Sequence, residues 1–367
     1  MILKKLCRAS KRSIMGIMAL AAVSSMVISG CGSNKGTVSE TSTQAQPQSA
    51  AAENNEGSAQ EQKVMKLAAT LMPDTSPIKC LTDMSVKLKD ETQGAVDIQI
   101  FPASQLGGQR DFVEGVSMGT VEMCIVGVGA LESFEPRFSI YGMPFLFEDN
   151  DHLYKFYDSD INQKILQDFC DQKGMRVIGL FNEGFRTVWT KEKPVESLAD
   201  FKGLKLRVPE VPIFVDMFTT LGCNATPLPA GDVYTALQTG MIEGVELPVS
   251  SIVGGKINEV VKYETVTNHV SGAMVVLINE GYYQSLTGEQ QQMLLAAVKE
   301  ASDADRANMV TDTEKYEKVI AESGIQQIIP SEEMMAQFRE AMNGVSEKYF
   351  KDVIDQETID QIRAMAE

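Results

Sequence analysis

The chain has 367 residues and a formal net charge of −17, with 33 Lys and Arg against 50 Asp and Glu. At 44% hydrophobic and 23% charged it is globular for most of its length, and that length suits two domains. The acidity argues against nucleic acid and against passive adhesion to anionic lipid, both of which call for clustered Lys and Arg, and two histidines, His152 and His269, leave little room for histidine-based metal sites or catalysis.

The charge is uneven along the chain. Residues 1–30 hold Lys4, Lys5, Arg8, Lys11 and Arg12 and no acid, so the remainder carries −22. Residues 14–30 are uncharged, and a basic segment followed by a short apolar run reads as a secretory signal peptide. The run falls short of the about 20 apolar residues that a membrane-spanning helix needs. It closes on Ile28-Ser29-Gly30-Cys31, which resembles the bacterial lipobox of an aliphatic residue, two small residues and Cys. That resemblance implies cleavage before Cys31 and a diacylglyceryl thioether on it, the palmitate-bearing anchor of a lipoprotein. The other reading is an uncleaved anchor with an incidental Cys. Residues 31–62 follow as a lipidated Cys and a tether made nearly all of Gly, Ser, Thr, Gln, Asn, Ala and Glu, with Val38 as the one larger aliphatic. Such a segment buries too little apolar surface to order itself, and its r.m.s. reach is roughly 30 Å. Signal, lipid and tether place the domain outside the cell, at the outer face of the cytoplasmic membrane.

From residue 63 onward, short β-rich runs alternate with helical ones. Residues 64–70 read as a strand. Ser76-Pro77 reads as an N-cap and first-turn Pro, opening a helix that stops near Gly94. A strand is predicted over 96–101, a helix over 106–118 ending at Gly119, and a strand over 121–127. Residues 151–173 read as one long helix closed by Gly174. Strands are predicted over 175–181 and 204–208, and Asp232 caps a short helix that ends at Gly240. Thr287-Gly288-Glu289-Gln290 is a capping box, and helical pattern then continues without Pro or Gly to Gly324. At 1.5 Å per residue that is roughly 50 Å of helix, more than one small domain is wide. A strand over 325–329 and two final helices complete the chain. Alternation of this kind implies an α/β fold with largely parallel sheets. Cys80, Cys124, Cys170 and Cys223 are widely spaced and lack a CxxC pair. They read as buried small hydrophobes, with disulfides left open in an exported protein.

Familiar reactive motifs are missing. There is no P-loop and no HExxH, and Gly127-Val128-Gly129 does not extend to GxGxxG because Glu132 occupies the last position. Asp158-Ser159-Asp160-Ile161-Asn162 opens like a calcium loop, but Gln163 and Phe169 stand where Gly and Glu are required. No catalytic residues, metal site or cofactor are therefore assigned, and the chain reads as a binder and not as an enzyme.

Several ordered segments carry a family resemblance. They are Gln105-Leu106-Gly107-Gly108 with Glu114 and Gly119-Thr120-Val121-Glu122-Met123, then Met143-Pro144-Phe145-Leu146-Phe147, then Lys202-Gly203-Leu204-Lys205-Leu206-Arg207-Val208-Pro209. Leu221-Gly222, Pro227-Leu228 and the run from Asp232-Val233-Tyr234 to Glu243-Gly244 follow. In this order they resemble the solute-binding subunit of tripartite ATP-independent periplasmic (TRAP) transporters, of the dicarboxylate-binding DctP type, over about residues 63–350. The resemblance implies a two-domain periplasmic-binding-protein-like clamp, each domain a mostly parallel sheet flanked by helices. Crossing strands and one long helix would join the domains. It implies discontinuous domains, 63–184 plus 273–312 and 185–272 plus 313–367. The ligand would sit in the cleft, with hinge closure around it. The implied partners are a small-molecule organic acid and the small and large membrane permease subunits.

The resemblance also supplies site residues. Arg207 matches the Arg that pairs with the ligand carboxylate, a role suited to a planar guanidinium fork. Standing alone, an Arg at a strand end would be a solvated charge. Arg186 resembles a second Arg near the ligand, with Phe185 and Trp189 beside it as walls or as ordinary core. Tyr234 matches an aromatic position near the ligand, and Glu114 and Glu210 are candidates to face the cleft. One position departs from the pattern: Leu247 stands where an Asn often bonds the ligand, and an apolar side chain donates nothing. A second reading keeps the same site but makes the chain a sensing module that presents its bound state to a receptor or sensor kinase. An exported hydrolase is the third, with no motif behind it.

Overall fold

The computed structural model describes residues 62–366. The signal peptide, the Cys31 lipobox and nearly all of the expected tether lie outside the described residues. Strand β1 (Lys63–Ala69) leads into helix α1 (Ser76–Glu91), whose N-cap is Thr75 and not the expected Ser76. Strand β2 (Val96–Phe101), helix α2 (Gln109–Met118) and strand β3 (Met123–Gly127) follow. The single helix expected over 151–173 is two, α3 (Asn150–Tyr157) and α4 (Asp160–Lys173). Ser159 breaks it: its hydroxyl accepts from the Asn162 amide at 3.2 Å and caps a new start. The segment that opened like a calcium loop is this helix junction.

Strand β4 (Met175–Thr190) runs nine residues past its expected end at 181. Next come β5 (Lys205–Val208), α5 (Pro212–Thr220), β6 (Asn224–Pro227), α6 (Val233–Thr239), β7 (Gly244–Pro248) and α7 (Val249–Gly254). Strand β8 (Tyr263–Asn279) then runs for 17 residues. Helices α8 (Glu280–Gln284) and α9 (Gly288–Glu322), strand β9 (Gln326–Ile328), and helices α10 (Glu332–Phe350) and α11 (Gln356–Arg363) complete the fold.

Among the described residues the strands form one mixed sheet, in the order β2-β1-β3-β8-β4-β7-β5-β6, with β9 added to β8. It has two wings. In one, β1 runs parallel to β2 and β3; in the other, β5 runs parallel to β6 and β7. The expected parallel sheets are these wings, but β4 and β8 join them as a long antiparallel pair, so the whole is mixed. The C-terminal part of β8 pairs with β3, and the C-terminal part of β4 pairs with β7. Each crossing strand therefore belongs to both wings. Their register shifts between Asn182 and Phe185 and again between Arg186 and Val188. The backbones nearly touch there: a Cβ on Gly272 would lie 2.4 Å from the Gly184 carbonyl oxygen, so only Gly fits.

The capping box that begins α9 is formed on both sides. Thr287 Oγ1 accepts from the Gln290 amide at 3.2 Å, and Gln290 Oε1 accepts from the Thr287 amide at 2.9 Å. The 35 residues that follow span about 50 Å. Leu294, Ala297, Val298 and Ala301 pack into the core with α1 and β1, whereas Ile320 packs with Trp189 and Val245 in the other wing. The helix thus lies along both wings, which its uninterrupted pattern had implied. Cys80, Cys124, Cys170 and Cys223 are free and buried, as small core hydrophobes would be. No helix among the described residues is long and apolar enough to cross a membrane.

Candidate functional site

Arg207 sits near the carboxyl end of β5, between Thr226 of β6 and Val245 of β7, and Pro209 prevents the strand from continuing. In open α/β sheets, ligands collect outside the carboxyl ends of parallel strands. The side chain is only 3% exposed. Its Nε and Nη2 donate to the Leu228 carbonyl at 2.8 and 2.6 Å. No acid pairs with it among the described residues, and burial pushes the guanidinium down to about 10, still charged at neutral pH. A buried cation that lacks an anionic partner is costly.

That cation lines a cavity of about 540 Å³, well within the size range of small-molecule sites. Its walls come from three stretches distant in sequence: 109–139, 207–230 and 348–353. Glu114 stands on this wall, its carboxylate held by Arg110 Nε at 2.9 Å, and Glu210 lines the cavity too. Lys348 and Tyr349 also line it, and both bond Asp216, with the tyrosine hydroxyl donating at 2.6 Å.

Arg186 occupies a different setting. Its Nε and Nη2 grip the Glu246 carboxylate at 2.6 and 2.7 Å, and Nη2 also donates to the Glu246 carbonyl at 2.8 Å. The guanidinium lies over the Phe214 ring, 5.1 Å from its centroid. His269 completes the cluster, with Nε2 3.3 Å from Glu246 and Nδ1 2.8 Å from Thr267 Oγ1. Burial opposes ionisation of Glu246, yet Arg186 and His269 together outweigh it and hold the carboxyl below its ordinary value. Burial pushes His269 down, toward the neutral form. With both ring nitrogens engaged, His269 is a structural member of this cluster. Arg186 does line a small inner chamber of about 60 Å³, and that chamber shares Gln109, Gly129, Ala130, Pro209 and Val211 with the larger cavity. It faces the site, but its charge is already matched.

Three sequence candidates lie elsewhere. Phe185 lines neither cavity and packs half-buried against the largest core cluster, because successive strand residues face opposite sides and Arg186 takes the inner side. Trp189 is fully buried in the core beneath α6 and α7, its indole N–H donating to the Leu247 carbonyl at 2.9 Å. That bond satisfies its one polar atom inside the core, so it is no pocket wall. Tyr234 turns its hydroxyl to Glu259 at 3.3 Å and lines neither cavity. Leu247 packs with Trp189 and Val245, and its side chain also lies outside both cavities. The residue missed by motif reading is Glu132, whose carboxyl lines the main cavity and whose Oε1 is buried with no partner. In the sequence it showed itself only as the position that broke a glycine motif. Among the described residues no group of His, Cys, Asp or Glu could hold a metal ion.

The chain resembles known proteins over nearly all of this fold. Residues 67–352 match the family model for bacterial extracellular solute-binding protein, family 7. The 2,3-diketo-L-gulonate-binding periplasmic protein YiaO of Escherichia coli K12 is 31% identical over 267 residues, which is 72% of this chain and 80% of that protein. The sialic acid-binding periplasmic protein SiaP of Vibrio cholerae is 28% identical over 278 residues, 76% of this chain and 85% of that one. Among solved structures, a TRAP periplasmic solute-binding protein from Xanthobacter autotrophicus Py2 with bound β-D-galacturonate superposes with a TM-score of 0.78 at 29% identity. The match covers 82% of this chain and 99% of that one. A TRAP solute-binding protein from Sulfurospirillum deleyianum with bound succinate gives 0.78 at 27% identity, covering 83% and 99%.

Proposed function

The chain belongs to the bacterial extracellular solute-binding protein family 7, and on that premise we propose that it captures an organic acid at Arg207 and delivers it to a TRAP membrane permease. One observation carries the proposal: Arg207 is a buried, charged guanidinium in a cavity, bonded to a carbonyl and to no acid. A ligand carboxylate supplies the missing anion, and the planar fork fits it. The relatives from Xanthobacter and Sulfurospirillum bind galacturonate and succinate, both carboxylates, which supports the same class here. Delivery to a small and a large permease subunit fits the TRAP proteins among the solved relatives, whereas presentation to a sensor does not. The relatives are solute-binding proteins, and no reaction is assigned to this one.

Capture also requires a way in. We propose that the wings act as domains, 63–184 with 273–312 and 185–272 with 313–367, closing about the register shifts in β4 and β8. The lipobox-like Ile28-Ser29-Gly30-Cys31 supports a lipid anchor on Cys31. Intact-mass analysis of the membrane fraction is expected to show the acyl mass on a chain that starts at Cys31. An unmodified Cys31, or full partition into the soluble fraction, removes the anchor.

The capture proposal is tested by calorimetry with a panel of organic acids on the full chain and on Arg207→Ala. The native chain is expected to bind at least one acid, and the variant to lose at least about a hundredfold in affinity. Equal affinity in both chains would overturn the role of Arg207.

A further inference from the structure

We infer that Glu132 is the specificity-determining residue of the cavity, and that it selects an acid carrying hydroxyl groups over a plain or dicarboxylic one. The inference rests on the capture reading above and adds a second recognition point to it. Six acidic or basic residues line the cavity: Arg110, Glu114, Glu132, Arg207, Glu210 and Lys348. Two of the cations are already matched, Arg110 by Glu114 and Lys348 by Asp216. Glu210 is exposed and hydrated. Arg207 and Glu132 are left, both inward, and they do not pair with each other among the described residues.

Glu132 is held in an unusual state for a carboxyl. Its Oε1 is buried without a hydrogen-bond partner, and no cation lies within ion-pair distance of it among the described residues. Two glycines lie close to that oxygen. A Cβ on Gly129 would stand 3.6 Å from it, and one on Gly142 would stand 3.5 Å from it. Both glycines line the inner chamber, so Oε1, itself buried, lies just behind the wall between that chamber and the main cavity. A buried polar atom left unpaired is costly, and a ligand group that pairs it recovers that cost on binding. A site with such a group rejects analogues lacking the matching donor.

The chemistry of the donor follows from the surroundings. Burial pushes the Glu132 carboxyl up to about 8, so in the empty cavity it is mostly a neutral acid at pH 7. A neutral carboxyl both donates and accepts, and a hydroxyl is its natural partner because it does the same. An ammonium would first require the proton to leave a desolvated site. A second carboxylate would meet either a buried acid or a buried negative charge, and gains little from both. Arg207 takes the carboxylate, Glu132 takes a hydroxyl, and the ligand bridges them.

Calorimetry on the full chain with four six-carbon acids tests this: galactonate, hexanoate, adipate and 6-aminohexanoate. In the native protein, galactonate is expected to bind at least tenfold more tightly than hexanoate. Glu132→Leu is expected to bring the two within about threefold, by weakening galactonate and leaving hexanoate unchanged. Glu132→Gln keeps an acceptor and a donor, and is expected to retain most of the preference. Glu132→Met repeats the test with an unbranched chain should the Leu variant fail to fold. An unchanged preference in the Leu or Met variant overturns the inference, and so does tighter binding of adipate or 6-aminohexanoate to the native chain. In both cases a loss of every acid in Arg207→Ala leaves the capture reading standing. If none of the four acids, nor any other organic acid, binds the native chain, the capture reading falls and takes this inference with it.

Discussion

Two buried arginines, 21 residues apart in the chain, have opposite surroundings. Arg186, where the long strands cross, is matched by Glu246, a carbonyl and an aromatic face. Arg207, in the neighbouring wing, has one carbonyl oxygen. The first cluster is complete and ties β4 and β8 to β7 on one side of the sheet. The second is incomplete, and it opens on a cavity. Burial by itself therefore does not mark a binding residue in this protein. We take the missing counter-charge as the mark instead, because a fold seldom leaves an ion buried unless something else supplies its partner.

The contrast can be broken most sharply at Glu246. Removing one partner of a buried ion pair leaves an uncompensated charge, so Glu246→Ala is expected to lower the unfolding free energy by about 3–5 kcal/mol in chemical denaturation. A loss below about 1 kcal/mol would mean that the Arg186 cluster is no structural centre. Arg207→Ala provides the opposite case. It removes a buried charge to which no acid bonds among the described residues, so the melting temperature is expected to stay within about 4 °C while acid binding is lost. A large fall in stability would place Arg207 with Arg186, as a structural residue.

A smaller effect sharpens the comparison from inside the structural region. Asp305, on α9, accepts from the Asn182 amide at 3.0 Å through Oδ2, but its Oδ1 has no partner. Burial pushes this carboxyl from 3.8 up to about 7. The folded value lies above the unfolded one, so the folded state holds the extra proton. The associated stability is complete below about pH 4 and is lost as pH rises through 7. Asp305→Asn keeps an acceptor for Asn182 and removes the titration. It is expected to reduce the fall in melting temperature between pH 5 and pH 8 by at least about 2 °C. An unchanged fall would assign that pH dependence to other buried acids, such as Glu183 and Glu264, which burial also pushes up.

Features that depend on neighbours in sequence were legible before any coordinates. The capping box at Thr287 and Gln290, the length of α9 and the stop at Gly119 follow from local hydrogen bonding and backbone freedom. The break at Ser159 was equally local, but a similar Asp-Ser-Asp pattern also begins metal loops, and the helical pattern ran through it. Strand β8 was not predicted at all. Glu264, Thr265, Thr267, His269 and Ser271 interrupt its apolar residues, and all five are buried: Thr187 of β4 bonds Glu264, Glu246 of β7 meets His269, His269 in turn meets Thr267, and Thr265 donates to the Val195 carbonyl, while Ser271 Oγ has no partner among the described residues. Phe185, Trp189 and Tyr234 were placed near the ligand by analogy of position. Which way a side chain turns is settled by the packing on each face of the strand or helix.

The sequence by itself determined the alternating α/β architecture and the long shared helix, because period and caps are written along the chain, and its ordered set of motifs pointed to Arg207 as the candidate. The tertiary structure decided which arginine is satisfied. Glu246 reaches Arg186 through the pairing of β7 with β4, whereas among the described residues no acid comes within ion-pair distance of Arg207. It also brought Glu132 to the cavity that Arg207 lines, by setting residues 109–139 against 207–230 and 348–353 around one cavity. Counter-charges and cavity walls are contacts between distant segments, and only the folded chain brings them within bonding distance.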